Sequence, residues 1–263
     1  MRRRVWLAGF MVLVAVNVAM AQQGGMSASA SGEVRQGASA VYPSGTRLSS
    51  VALAAKVRPE AYMAGAAWLR PSLKEDQIRL KAGVVFELGV IRMGALTDGN
   101  APLGLAAAAF QSWLRELPVT GRRTSVVLDP DRLEVSPSDN WPIEEGDALY
   151  YPRRPADIRI VGAVAKPCSV PQVGLQDARR YLAQCPPSAA ADPDMIFVIQ
   201  PDGTVFPQNI ALWNRDPPRI LAPGAWIYVP FNRKRIATST DGQFNEDVAA
   251  FLSTQLINAE NAP

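Results

Sequence analysis

Two stretches of the chain run through the same order of apolar runs and turns. "SVVLDPDRLEVSPSDNWPIEEGDALYYP", Ser125 to Pro152, reads as a β-run, a D-P-D turn, a second β-run, a Pro/Asn loop and an acidic-Gly turn that enters a final strand. "IFVIQPDGTVFPQNIALWNRDPPRILAPGAWIYVP", Ile196 to Pro230, repeats that order around a P-D-G turn. Asp and Gly accept the dihedrals a tight turn imposes, so both stretches predict hairpins. Each has a matching front half, Ser39 to Val57 and Gly162 to Cys185, with a strand, a turn and an apolar helix-like run. In the second, Leu175, Ala178, Leu182 and Cys185 recur at spacings of three and four, which predicts one face of a short helix. The predicted unit is β-β-α-β-β, written twice, and Pro152 to Pro155 is the junction between the copies.

The copies differ by a helical block inserted in the first, at about residues 72–118. It opens with a capping box, Ser72-x-x-Glu75, and carries Ile78, Val85, Leu88 and Ile91 at helical spacing. Asp98-Gly99-Asn100 breaks it, and a second helix from Pro102 to Leu117 is closed by Pro118. After the second unit, "FNEDVAAFLSTQLI" sets Phe244, Val248, Leu252 and Leu256 on one stripe, with Glu246 and Asp247 in the first turn where the helix dipole favours acids. The fold class is therefore α+β, with an αα-hairpin in the first domain and an amphipathic helix at the end.

Composition changes the picture at the start of the chain. Arg2, Arg3 and Arg4 precede an apolar run from Val5 to Ala19 broken only by Gly9 and Asn17, and Ala19-Met20-Ala21 is a small-x-small cleavage pattern. Residues 1–21 thus predict a secretory signal peptide. The run falls short of the roughly 20 apolar residues a bilayer span needs, so the mature form is expected to lack a transmembrane segment. Residues 22–37, "QQGGMSASASGEVRQG", are poor in large apolar side chains and read as a disordered leader, with the folded chain starting near Ala38. The expected domains are then 38–154, 155–232 and a linker with the terminal helix at 233–263.

The 27 Lys+Arg and 24 Asp+Glu include the three signal arginines, so the mature chain holds 24 of each and carries no net charge. That excludes a globally basic, nucleic-acid-binding surface. Cys168 and Cys185 are the only cysteines, an even number in an exported chain, so a disulfide is the default reading and two buried thiols the alternative. Without His, and with two Cys, no metal site is expected. No cofactor is expected.

A family likeness rests on a "GAV" strand, a short helix, "VIQPDG" and "LAPGAWIYVP" in that order, which resemble the soluble-ligand-binding β-grasp unit of polysaccharide export proteins. With "AWLRP", "LPVTGRR", "YYPRRPADIRIVGAV" and the C-terminal helix, the chain from about Ala38 to Ile257 resembles the GfcC family of capsule-biosynthesis proteins, YjbG-like exopolysaccharide proteins among them. The resemblance implies a periplasmic protein of two β-grasp domains, non-enzymatic, whose partners are polysaccharide or the export and assembly proteins of the cell envelope. Export-channel subunits share the unit, but no lipobox cysteine stands near Ala21.

Nucleophilic catalysis is poorly served without a His or a G-x-S-x-G elbow. Asp129 and Asp131 are the closest-spaced carboxylates at a turn; they suit acid–base work at a glycosidic bond or, as their counterparts in "QPDG" suggest, a hairpin turn. Glu144, Glu145 and Asp147 read as the turn before the last strand of the first unit. The sharper candidate is Arg122, whose planar guanidinium beside Trp113 would grip a sugar hydroxyl, uronate or phosphate while the aromatic face stacks on a ring. The resemblance implies such an arginine in a pocket between insertion and sheet, and the alternative is an arginine that pins the insertion to backbone carbonyls. Arg70 beside Trp68 is a second candidate. A polysaccharide-modifying enzyme and a purely structural interaction module remain the rival functions.

Overall fold

A computed structural model describes residues 25–37 and 39–258. The signal-peptide expectation falls on residues 1–21 and lies outside them.

The first unit begins with β1 (Met26–Gly32), β2 (Ser39–Tyr42), α1 (Leu48–Ala55) and β3 (Ala67–Leu69). The inserted hairpin follows as α2 (Lys74–Thr97) and α3 (Ala101–Glu116), and the unit closes with β4 (Arg122–Arg123), α4 (Pro130–Val135) and β5 (Asp147–Tyr151). The second unit is β6 (Asp157–Gly162), β7 (Cys168–Pro171), α5 (Ala178–Tyr181), β8 (Met195–Ile199), β9 (Val205–Asn209) and β10 (Trp226–Val229). Then come α6 (Arg233–Ile236) and α7 (Phe244–Ser253). The sheets run β2-β1-β5-β3-β4 and β7-β6-β10-β8-β9, the same order twice, each with one parallel pair at its centre, β1/β5 and β6/β10. This is the α+β, two-β-grasp architecture expected.

The repeat extends to single residues. Gly32 (φ +85°) and Gly162 (φ +103°) end the first strands of the two units. A Cβ on Gly32 would lie 2.1 Å from the Tyr151 carbonyl oxygen, and one on Gly162 would lie 2.2 Å from that of Val229, so only glycine lets the parallel partner approach.

The structure corrects four sequence expectations. Residues 26–32 are not a leader but β1, an inner strand paired on both sides. Its "SASAS" alternates: Ala28 and Ala30 are buried while Ser27, Ser29 and Ser31 are half-exposed, and these small alanines suffice because α1 packs directly above. In "DPDRLEV" the turn and second strand are instead the helix α4, with the Asp129 carboxylate accepting from the N–H groups of Asp131 (3.0 Å) and Arg132 (3.2 Å). The true counterparts of β8 and β9 are β3 and β4, so the helical hairpin occupies the loop that Pro201-Asp202-Gly203 closes in the second unit. The capping box does not form: Ser72 donates to the Glu144 carboxylate at 2.7 Å, and Glu75 pairs with Arg79 at 3.0 Å. Finally, α5 is a single turn, and Leu175 stands outside it, exposed, with φ +60°.

Although α2 and α3 belong covalently to the first unit, they pack on the second. Val84, Leu88, Ile91, Phe110 and Leu114 join the same buried cluster as Ile160, Phe197 and Tyr228. Phe110 lies 5.9 Å from the rings of both Tyr228 and Phe231, and Trp113 lies 6.2 Å from Trp226. Trp226 and Tyr228, two residues apart on β10, face this lobe, so Ile227 and Val229 face the other way, yet all four are buried. A sheet covered on both faces needs uninterrupted apolar strands, and "MIFVI" and "WIYV" supply them. The first sheet packs one face on α1 and α4. Its other face, with Ala67, Leu69, Ala148 and Tyr150, receives Leu256 from the segment after α7. Each unit therefore lends the other a cover.

Candidate functional site

Arg122, at the edge of the first sheet, is buried. Its guanidinium donates to the backbone carbonyls of Gln255 (2.8 Å), Ser253 (3.4 Å) and Pro201. Around it Thr120 donates its hydroxyl to the Thr254 carbonyl at 2.8 Å, and Gln77 receives the Gly121 N–H and donates to the Arg122 carbonyl. Burial pushes the Arg122 pKa down to about 10, partly opposed by the carboxylate of Asp202, so the side chain stays cationic at neutral pH. The adjoining cavity is about 10 Å3, room for one water and far too little for a sugar ring. Arg122 is thus turned inward, onto the hairpin turn of the second unit and the C-terminal segment.

The other sequence candidates do not converge on it. Trp113 stacks on Phe110 at 5.4 Å inside the lobe–sheet interface. Arg70 directly follows β3, whose last residue, Leu69, pairs with Arg122, but its side chain is buried over the Trp68 ring at 4.0 Å. It donates to both carboxylate oxygens of Asp147 (3.3 and 3.1 Å) and to the Pro142 carbonyl, and pairs with Glu144 at 3.0 Å. Asp147, itself buried, also accepts the Glu144 N–H at 2.8 Å. This is a fully paired ion cluster that fastens the loop before β5, the arrangement in which buried charges are tolerated.

The open polar surface lies elsewhere, beside the edge strand β9. A hollow of about 700 Å3 is bounded by the β8–β9 turn on one side and the Asp216–Ile220 loop on the other. Phe206, Thr204 and Asp202 face Asp216, Arg219 and Ile220 across it. The Arg219 guanidinium lies over the Phe206 ring, 4.1 Å from its centroid. Its backbone is clamped: the N–H donates to Asp177 at 3.2 Å and the carbonyl accepts from Ala178 at 2.9 Å. Among the described residues its Nε is buried and has no hydrogen-bond partner. Asp216 accepts the Asn209 N–H at 2.6 Å, and Asp202 accepts both the N–H and the hydroxyl of Thr204 at 2.8 Å. The turn is held from the first unit, where the Ser125 N–H donates to the Asp202 carbonyl at 2.9 Å.

Sequence reasoning passed over Phe206, Asp216 and Arg219. The legible signal was "NRDPPRI", an acid and two arginines around a rigid Pro-Pro pair, but only the folded loop returns it to β9.

Cys168 and Cys185 are joined in a disulfide, with Cα atoms 6.3 Å apart. No helix among the described residues is long and apolar enough to cross a membrane.

Residues 28–154 match the family described as capsule biosynthesis GfcC, N-terminal, and residues 166–257 match the one described as capsule biosynthesis GfcC C-terminal. A protein of Escherichia coli (strain K12) described as uncharacterized protein YjbG is 26% identical over 159 residues, a stretch covering 60% of this chain and 64% of that protein. The chain thus spans just under two thirds of the length of this relative.

Proposed function

Because the chain belongs to the GfcC family of capsule-biosynthesis proteins, we propose that it is a non-enzymatic accessory protein of capsule or exopolysaccharide assembly, acting in the periplasm by binding glycan or a component of the export machinery. The family ties it to capsule biosynthesis and to partners of the cell envelope. The disulfide and the signal-like segment at residues 1–21 support an oxidising, extracytoplasmic compartment.

The observation that carries the binding role is the hollow beside β9, where two carboxylates and a guanidinium line one cavity of about 700 Å3. Asp129 caps α4, Asp147 is clasped by Arg70, and Glu144 bridges Arg70 and Ser72. These acids serve local caps and pairs, whereas Asp202, Asp216 and Arg219, each also anchored by hydrogen bonds, gather around the hollow beside β9. The test is gene deletion and complementation in the organism, with surface polysaccharide measured and the protein located by fractionation. The expected result is loss or shortening of the polysaccharide and recovery of the protein in the periplasm; an unaltered surface would overturn the proposal. Purified protein incubated with the organism's own polysaccharide should release no new saccharide, and turnover would favour an enzyme instead.

A further inference from the structure

We propose that the hollow beside β9 is a binding site for a neutral, hydroxyl-rich segment of a glycan, with Arg219, Asp216 and Asp202 as its polar contacts. The proposal deepens the binding role above and rests on it. Each side of the hollow is fixed before any ligand arrives. Arg219 is clamped at its backbone N–H and carbonyl, and its guanidinium lies over the Phe206 ring. Asp216 is held by Asn209, and Asp202 by the turn that it caps. Groups ordered in this way lose little conformational entropy when a ligand docks.

The chemistry of the lining selects the ligand. Carboxylates accept hydrogen bonds and a guanidinium donates them, so a diol that does both is met on both counts. Two carboxylates stand against one guanidinium, which opposes a uronate or a phosphate and leaves neutral sugars favoured. Ile220 and the Pro217-Pro218 pair add the apolar surface on which the C–H face of a sugar ring can rest. At about 700 Å3 the volume suits a few sugar residues more than a single ion.

The experiment is calorimetric titration of the mature protein with neutral glucose, galactose and mannose trisaccharides and with trigalacturonate, repeated for Arg219→Ala and Asp216→Asn, with thermal melts of each. The expected result is saturable binding of at least one neutral trisaccharide, weakened about ten- to a hundred-fold by either substitution at unchanged Tm. Tighter binding of trigalacturonate, no binding of any neutral probe, or neutral binding that both variants retain would each overturn it. A chromosomal Arg219→Ala strain separates this proposal from the broader one. If deletion abolishes the surface polysaccharide and Arg219→Ala leaves it intact, the site is refuted while the capsule role stands. If deletion itself changes nothing, the capsule role fails.

Discussion

The Arg122 guanidinium donates to the Gln255 carbonyl at 2.8 Å, across 133 residues of sequence. One side chain on the edge of the first sheet thereby holds the segment that carries Leu256 onto that same sheet, while its other nitrogen reaches the Pro201 turn of the second unit. Arg122→Ala would leave the carbonyls of Pro201 and Gln255 without this donor in a buried setting. The expected loss is about 3 kcal/mol of stability, or a Tm lower by roughly 10 °C. Arg122→Lys should recover only part of it, because an ammonium lacks the planar fork. Thermal melts decide the point, and an unchanged Tm for Arg122→Ala would remove the pin.

Phe110 supplies a second test, because it lies in the first unit by sequence and in the core of the second by packing. Phe110→Ala should cost about 3–5 kcal/mol through the cavity left against Tyr228 and Phe231. Hydrogen exchange should then quicken in β10 before it quickens in β5. The reverse order would mean that the lobe supports its own unit instead.

Glu87 on α2 should make stability fall toward neutral pH. Burial, then the nearby carboxylates of Asp241 and Asp247, hold its pKa above the ordinary 4.5, and one of its oxygens is buried without a partner among the described residues. Asp247 is shifted in the same direction by burial and by Asp241 and Glu246, with Arg233 paired to Glu246. The native state keeps the proton where the unfolded chain has released it, so stability declines as pH rises above about 4.5 and returns on acidification. Glu87→Gln should melt higher than wild type at pH 7, with the advantage shrinking as pH falls. Equal melting of the two proteins at pH 7 would contradict the shift.

The Cys168–Cys185 bridge closes a loop with a sequence separation of 17, which stabilises by about 3 kcal/mol in the chain-entropy account. Denatured, unreduced protein should show no titratable thiol, and Cys168→Ser/Cys185→Ser should melt several degrees lower without loss of secondary structure. Two free thiols in freshly purified, unreduced protein would count against the bridge.

Much of this fold is written in local pattern. The P-D-G turn, the strand "AWIYVP", the two helices interrupted at Asp98-Gly99-Asn100 and the stripe of Phe244, Val248 and Leu252 on α7 are each set by residues within a few positions of one another and formed as the spacing predicts, whereas Leu256, expected on the same stripe, lies past the helix on the first sheet. The repeat and the helical insertion follow from them. What the sequence could not determine depends on partners far along the chain. "SASAS" becomes an inner strand only because β5, more than a hundred residues later, pairs with it in parallel and α1 roofs its alanines. The "DPDRLEV" stretch became a helix because the pairing positions a strand would need were already filled by β3 and β4. Arg122 carries the same short motif whether it faces a ligand or a carbonyl, and the C-terminal segment, 131 to 133 residues away, decided for the carbonyl. Periodicity records which face of an element is apolar; which unit's sheet that face covers is settled by long-range packing, and here each unit of the repeat covers the other.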